Sequence, residues 1–197
     1  MTTVRVLPRD EVADRIDDLA RLRIAVFREW PYLYDGDLDY EREYLRTYSA
    51  SPSSVVVVAE DGARVVGAST GVPLADEGAD FRAPYAAAGL DPARVFYFGE
   101  SVLLPEHRGR GIGHRFFDAR EAHAAALGGY HWTSFCAVVR ADEDPRRPPS
   151  HRPLDAFWTA RGYRRRPDIV TTIAWKEIGE PASSDKQLVA WLRPLGA

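Results

Sequence analysis

Residues 95–113, VFYFGESVLLPEHRGRGIG, place two kinds of chemistry in one short stretch. Arg108-Gly109-Arg110-Gly111-Ile112-Gly113 is a glycine-rich turn between an apolar strand and the start of a helix. Glycine lets backbone N–H groups come close to a ligand, and a helix N-terminus adds partial positive charge, so the turn suits an anionic phosphate. Upstream of the turn stands Glu100, a carboxylate whose strand neighbours are apolar or small. Burial there would suit it to accept a proton near neutral pH, although a glutamate paired with a nearby arginine reads equally from the same letters.

Three phosphate-binding patterns compete for the turn. A P-loop requires G-x-x-x-x-G-K-[ST], and no lysine follows these glycines, since Lys176 and Lys186 are the lysines of the chain. A dinucleotide-binding G-x-G-x-x-G fits Gly109 and Gly111 but meets His114 where its last glycine belongs. The pattern [QR]-x-x-G-x-[GA] fits in full at Arg108, Gly111 and Gly113.

With that motif the chain resembles the GCN5-related N-acetyltransferase (GNAT) superfamily. The preceding apolar strand, Pro105, and Ile112 between the glycines are similar to the family's core. So is Leu154-Asp155-Ala156-Phe157-Trp158 followed by Arg161-Gly162-Tyr163, which is similar to the later helix ending in Gly-Phe. The resemblance covers residues 50–178 well and the N-terminal helices loosely. It implies an α/β fold: a mixed central β-sheet flanked by helices, with two splayed strands forming a wedge for acetyl-CoA as cosubstrate. By position, the backbone of Ser101, Val102 and Leu103 would meet the thioester carbonyl and pantetheine, and Arg108, Gly109, Arg110, Gly111, Ile112 and Gly113 would cradle the pyrophosphate. The reaction implied is direct attack of a neutral amine on the thioester, which needs a base, an oxyanion donor and an acid. Glu100 is the candidate base and the Ser101 N–H the candidate donor. Strict strand alternation puts the Glu100 side chain on the face opposite Ser101 and Leu103, and a bulge would alter that. Tyr97 stands where some relatives carry a glutamate base. Trp158 stands where many carry an acidic tyrosine, and an indole N–H is no proton source. A non-catalytic acyl-CoA-binding module is therefore the alternative to an enzyme.

Trp30, Tyr32, Tyr34, Tyr40, Tyr44 and Tyr48 are interspersed with carboxylates from Glu29 to Glu43. Aromatics beside carboxylates suit a small cationic amine, and a solvated acidic helix with inward tyrosines is the plainer reading. Trp30, Tyr32, Tyr34, Ser69 and Tyr97 are the candidate substrate contacts. Gly67-Ala68-Ser69-Thr70-Gly71 has the form of a serine-hydrolase elbow, but no helix start follows it. The five histidines include no i, i+4 pair, so no metal site is implied. Arg146, Arg147, Arg152 and Arg164–Arg166 could meet the 3′-phosphate of CoA or lie in solvent.

The elements that must position these groups follow from periodicity. Val4–Leu7 reads as a strand, 11–28 as an amphipathic helix, and 39–48 as a second helix. Val55–Glu60 and Arg64–Gly71 form a hairpin about Asp61-Gly62. Residues 74–93 read as an irregular insertion that could act as a lid. Val95–Leu104 is the central strand, 111–127 a helix with Ile112, Phe116, Ala119 and Ala126 inward, 132–139 a strand, 154–161 a helix, and 169–177 and 188–192 closing strands. At 197 residues this is one domain, with residues 1–50 supplying the substrate side. The formal charge of −3 argues against nucleic acid as a partner. Cys136 is the sole cysteine, which suits a reducing cytoplasm. The opening MTTVRVLPRDE lacks a signal-peptide core and no apolar run reaches membrane length. A homodimer is compatible with all of this.

Overall fold

The computed structural model describes residues 2–196. Eight strands form one mixed sheet: β1 (Thr3–Val6), β2 (Val55–Asp61), β3 (Arg64–Pro73), β4 (Val95–Tyr97), β5 (Ser101–Leu103), β6 (Trp132–Val138), β7 (Arg164–Trp175) and β8 (Ser184–Pro194). Their order is β1-β2-β3-β4-β6-β8-β7, and β5 also pairs with β3. Only the β4–β6 ladder is parallel. Helices α1 (Arg9–Phe27), α2 (Leu38–Ala50) and α3 (Ala79–Ala87) cover one face, and α4 (Ile112–Leu127) and α5 (Asp155–Ala160) the other.

Both faces of the central strands are buried, so β2 reads as an unbroken apolar run. Val56 and Val58 pack beneath α1 and α2, while Val55 and Val57 pack beneath α4. Asp37 caps α2 by accepting the Tyr40 N–H at 2.8 Å. In α1, Val12, Leu19 and Leu22 face the sheet, and in α2 Leu45 and Tyr48 do so.

Three expectations change. Residues 74–93 are not irregular: a 3₁₀ turn at Leu74–Asp76 leads into α3, whose Tyr85 is fully buried and bonds Ser134 Oγ at 2.7 Å. Pro84 sits inside that helix, and a proline in a helix interior is a signal against helix from sequence alone. The inward residues of α4 are Ile112, Phe116, Arg120 and Ala124, and Ala126 is exposed. Strand β7 begins earlier than its apolar run because Arg164–Arg166 pair with β8 before a bulge between Arg166 and Val170.

Candidate active site

The central strand is two strands, and the break is the centre of the site. Val72 pairs with Tyr97 and Ser69 with Ser101, so one more residue lies on the 97–101 side than on its partner. Gly99 donates to Thr70 O at 3.2 Å, and Glu100 O accepts from Thr70 N at 3.1 Å. Two residues thus oppose one, a β-bulge. A Cβ on Gly99 would lie 1.9 Å from Tyr48 Oη, so only glycine fits there.

The bulge opens a cleft. The β4–β6 ladder ends with Phe98 N donating to Ser134 O at 2.7 Å. Beyond it β5 pairs only with β3, and β6 continues only with β8. Leu104 N donates to Val66 O at 3.0 Å, which fixes the antiparallel alternation. The backbone groups of Val102 therefore point at β3, while those of Ser101 and Leu103 point into the cleft. Val102 turns the other way: its backbone is committed to β3 and its side chain is buried beneath α1 and α2.

At the mouth of the cleft, Gly109 and Gly111 have φ of 74° and 75°, a left-handed geometry that suits glycine. Nothing lies within 4 Å of a Cβ placed on either. Gly111 is the N-cap of α4 and offers no side chain to the first turn, leaving its N–H groups open to an anion. Ile112 is buried beneath the helix, so its side chain anchors the turn and only its N–H is offered. Gly113 lies against Phe157 of α5. Arg108 Nε donates to Leu103 O at 3.0 Å, and its Nη1 pairs with Glu29 at 2.9 Å, so the side chain bridges the cleft wall and the chain just beyond α1. Arg110 Nη2 donates to Glu106 O at 2.8 Å. These features fit the pantetheine and pyrophosphate of acetyl-CoA.

Arg120 pins the bulge from the α4 side. It donates to Thr70 O (3.2 Å), Glu100 O (3.1 Å) and Ser101 Oγ (2.9 Å), and it lies over the rings of Phe98 and Phe117. It has no carboxylate partner among the described residues. Burial lowers its pKa to about 10, which leaves it charged at neutral pH.

The opposite face holds side-chain chemistry. Glu100 points toward α1 and α2, as alternation predicts, and Oε2 accepts from Arg23 Nη1 at 2.6 Å and Tyr44 Oη at 3.5 Å. Arg23 also pairs with Glu41 and lies over the Tyr44 ring at 4.3 Å. Tyr44 and Tyr48 hydroxyls are 2.9 Å apart, and burial pushes both phenols well above their ordinary range. Glu77, at the end of the turn after β3, is buried on this face and is pushed up to about 7 by burial and by Glu100.

The candidate substrate residues separate. Tyr97 is buried and packs against Phe81. Tyr32 packs between Phe27 and Trp175 with tilted rings, and burial raises its phenol to about 12. Tyr34 bonds Glu41, one step behind Glu100. Trp30 lies apart, against Arg140 and His151. Ser69 is fully buried on the α4 face, and its neighbour Thr70 faces Tyr48 instead. Trp158 packs on Phe135 and Trp191.

Sequence reading missed Arg23, Glu77 and Arg120 as members of the site and named Glu41 only as one carboxylate of the acidic, aromatic run. For Arg23, Glu41 and Arg120 a signal existed, a charge inside an apolar stripe. Arg23 follows Leu19 by four positions, Glu41 precedes Leu45 by four, and Arg120 lies four from both Phe116 and Ala124. Glu77 has no such signal.

The fold is shared with solved acetyltransferases. An N-acetyltransferase from Staphylococcus aureus Mu50 superposes with a TM-score of 0.61 at 14% identity, covering 100% of this chain and 99% of that one. A GNAT superfamily phosphinothricin acetyltransferase from Sinorhizobium meliloti, in complex with acetyl-CoA, gives 0.59 at 16% identity over 99% and 89%. A ribosomal-protein-alanine N-acetyltransferase from Brucella melitensis gives 0.60 at 14% identity over 98% and 99%. No curated protein matches the chain by sequence. The model of the acetyltransferase (GNAT) family matches residues 19–147. The chain belongs to that family, whose cosubstrate is acetyl-CoA. Among the described residues no helix is long and apolar enough to cross a membrane.

Proposed function

We propose that the protein is an N-acetyltransferase that moves the acetyl group of acetyl-CoA to a primary amine of a small cationic molecule by direct attack. The observation that carries this reading is the cleft between β5 and β6, where Ser101 and Leu103 present backbone N–H and C=O groups beside the uncapped N-terminus of α4. In this reading Ser101 N–H stabilises charge developing on the acetyl oxygen, and Leu103 holds the pantetheine after Arg108 releases its carbonyl. The backbone of 108–113 receives the pyrophosphate. The amine enters from the α1–α2 face, where the carboxylates around Glu100 attract it and take its proton. Tyr32 and Tyr97 line its approach. A cytoplasmic setting is part of the proposal.

Calorimetric titration with acetyl-CoA, with NAD and ATP as controls, tests it. Selective acetyl-CoA binding is expected, and absence of binding would remove the reading. Trp158 favours a second reading, an acyl-CoA-binding module without turnover, since it supplies no proton to a leaving thiolate. Acetyl-CoA binding without thiol release in the presence of amines would favour the module.

A further inference from the structure

Glu77 differs from every other carboxylate of the amine face. It is 9% exposed, yet it forms no ion pair with any described residue. Glu41 and Glu100 share Arg23. Among the described residues no side chain hydrogen-bonds to its carboxylate, and the groups that favour its charged form are the Gly78 N–H and Arg23. Its position is fixed by the fold: Glu77 N donates to Leu74 O at 3.2 Å, Ser51 Oγ bonds Asp76 at 2.6 Å, and Tyr85 anchors α3 just beyond. The groups that interact with it come from each element around the bulge. They are Glu100, Arg23 of α1, Tyr44 and Tyr48 of α2, Tyr97 of β4, Cys136 of β6 and its neighbour Asp76. Leu74 and Tyr85, which flank Glu77 in the chain, pack with Tyr97 on the face of the sheet opposite Phe96 and Phe98, so buried Glu77 lies on the same side of the bulge as Glu100, at the face where the amine is proposed to enter.

We infer that Glu77 is the proton acceptor of the acetyl transfer, working beside a Glu100 that is held by Arg23. The inference rests on the acetyltransferase reading above. The bound ammonium group first loses one proton to solvent through Glu77, and the neutral amine nitrogen then donates its lone pair to the acetyl carbonyl carbon and forms the C–N bond. The C–S bond breaks with its electron pair going to sulfur. The proton leaving nitrogen passes to Glu77, and the thiolate takes a proton from water. The division of labour follows from surroundings: the ion-paired carboxylate attracts and orients the ammonium group, and the unpaired one exchanges protons. Burial beside Glu100 poises Glu77 at about 7, where a base for this reaction is effective.

The test compares wild type, Glu77→Gln, Glu77→Asp and Glu100→Gln. Acetyl-CoA affinity is measured by calorimetry, and thiol release is followed from pH 5.5 to 9 (about the range needed to bracket the limb) with spermidine, tyramine and lysine methyl ester as probe amines. Wild-type kcat/KM is expected to fall as pH drops below about 7, the acid limb of a base that must be ionised. Glu77→Gln is expected to keep acetyl-CoA affinity within about twofold, to lose roughly hundredfold or more in kcat, and to lose the limb. Glu77→Asp keeps the limb with partial activity. Glutamate-¹³C NMR titration of the wild type supplies a readout independent of turnover: a carboxyl titrating near 7 is expected, assigned by its loss in Glu77→Gln. Wild-type kcat and an unmoved limb in Glu77→Gln would overturn the inference and leave the acetyltransferase reading standing. Loss of the limb in Glu100→Gln alone would give the role to Glu100 instead. Wild-type protein that binds acetyl-CoA but releases no thiol with any probe would overturn the acetyltransferase reading, and this inference with it.

Discussion

The two faces of the sheet at the bulge each bury an arginine and satisfy it by different means. Arg23, under α1 and α2, is shared by two carboxylates, Glu41 and Glu100. Arg120, on the inward side of α4, is surrounded by three carbonyls, a hydroxyl and two aromatic faces. The first arrangement gathers formal charge where an amine is proposed to enter. The second adds no carboxylate to the side where an anionic cosubstrate is proposed to lie. The bulge between them is shared: Arg23 holds the Glu100 side chain and Arg120 its carbonyl. The comparison teaches that one irregularity in one strand is braced from both sides by buried cations, each suited to the chemistry of its own face.

The contrast is most severely tested by removing the paired arginine. Arg23→Met leaves Glu41 and Glu100 buried without their cation, and unfolding in urea is expected to reveal a loss of about 3–5 kcal/mol. Changing Glu41 and Glu100 to glutamine in the same chain is expected to recover much of that loss. No recovery would mean that Arg23 acts by packing on Phe27 and Tyr44 rather than by charge.

Glu77 gives the next largest effect, with a sign that reverses intuition. Its folded pKa of about 7 lies above its ordinary value of 4.5, so folding favours the protonated form. Its contribution to stability is full below about 4.5 and is lost as pH rises through about 7. Glu77→Gln is therefore expected to be more stable than wild type at pH 8, by up to about 3 kcal/mol, and equal to it near pH 4. Denaturant unfolding at both pH values checks this.

On the other face effects should be smaller, because the chemistry there belongs to the backbone. Gly111→Ala forces a side chain into a φ of 75° and is expected to cost about 1–2 kcal/mol and weaken acetyl-CoA binding roughly tenfold. Thermal unfolding and calorimetry separate the two effects. Ser101→Ala should be the mildest. It removes the hydroxyl that receives Arg120 but keeps the N–H, so turnover should stay within about twofold and stability within about 1.5 kcal/mol. A large loss of kcat would transfer the role from the Ser101 backbone to its side chain.

The asymmetry extends to how each face reads in the sequence. The glycine-rich turn is contiguous in the chain, and Gly109 and Gly111 take a left-handed φ there. The hairpin about Gly62 and helices α1, α2 and α4 follow from periodicity that neighbouring residues reinforce. Helix α3 was hidden because Pro84 argues against helix, and burial of Tyr85 overrides that local preference. Which way Ser69 and Val102 face is not legible in the sequence, because adjacent residues in a strand face opposite ways and the sense depends on where a bulge falls.

By itself, then, the sequence determined the strand–turn–helix at 95–127, the family resemblance and the nomination of Glu100, since each rests on residues close together in the chain. Only the tertiary structure decided that Glu100 is held by Arg23, that Glu77 shares its face with no ion-pair partner among the described residues, and that Arg120 braces the bulge. These facts depend on contacts between residues 20 to 77 positions apart, and the strength of a buried charge depends on what the fold places around it.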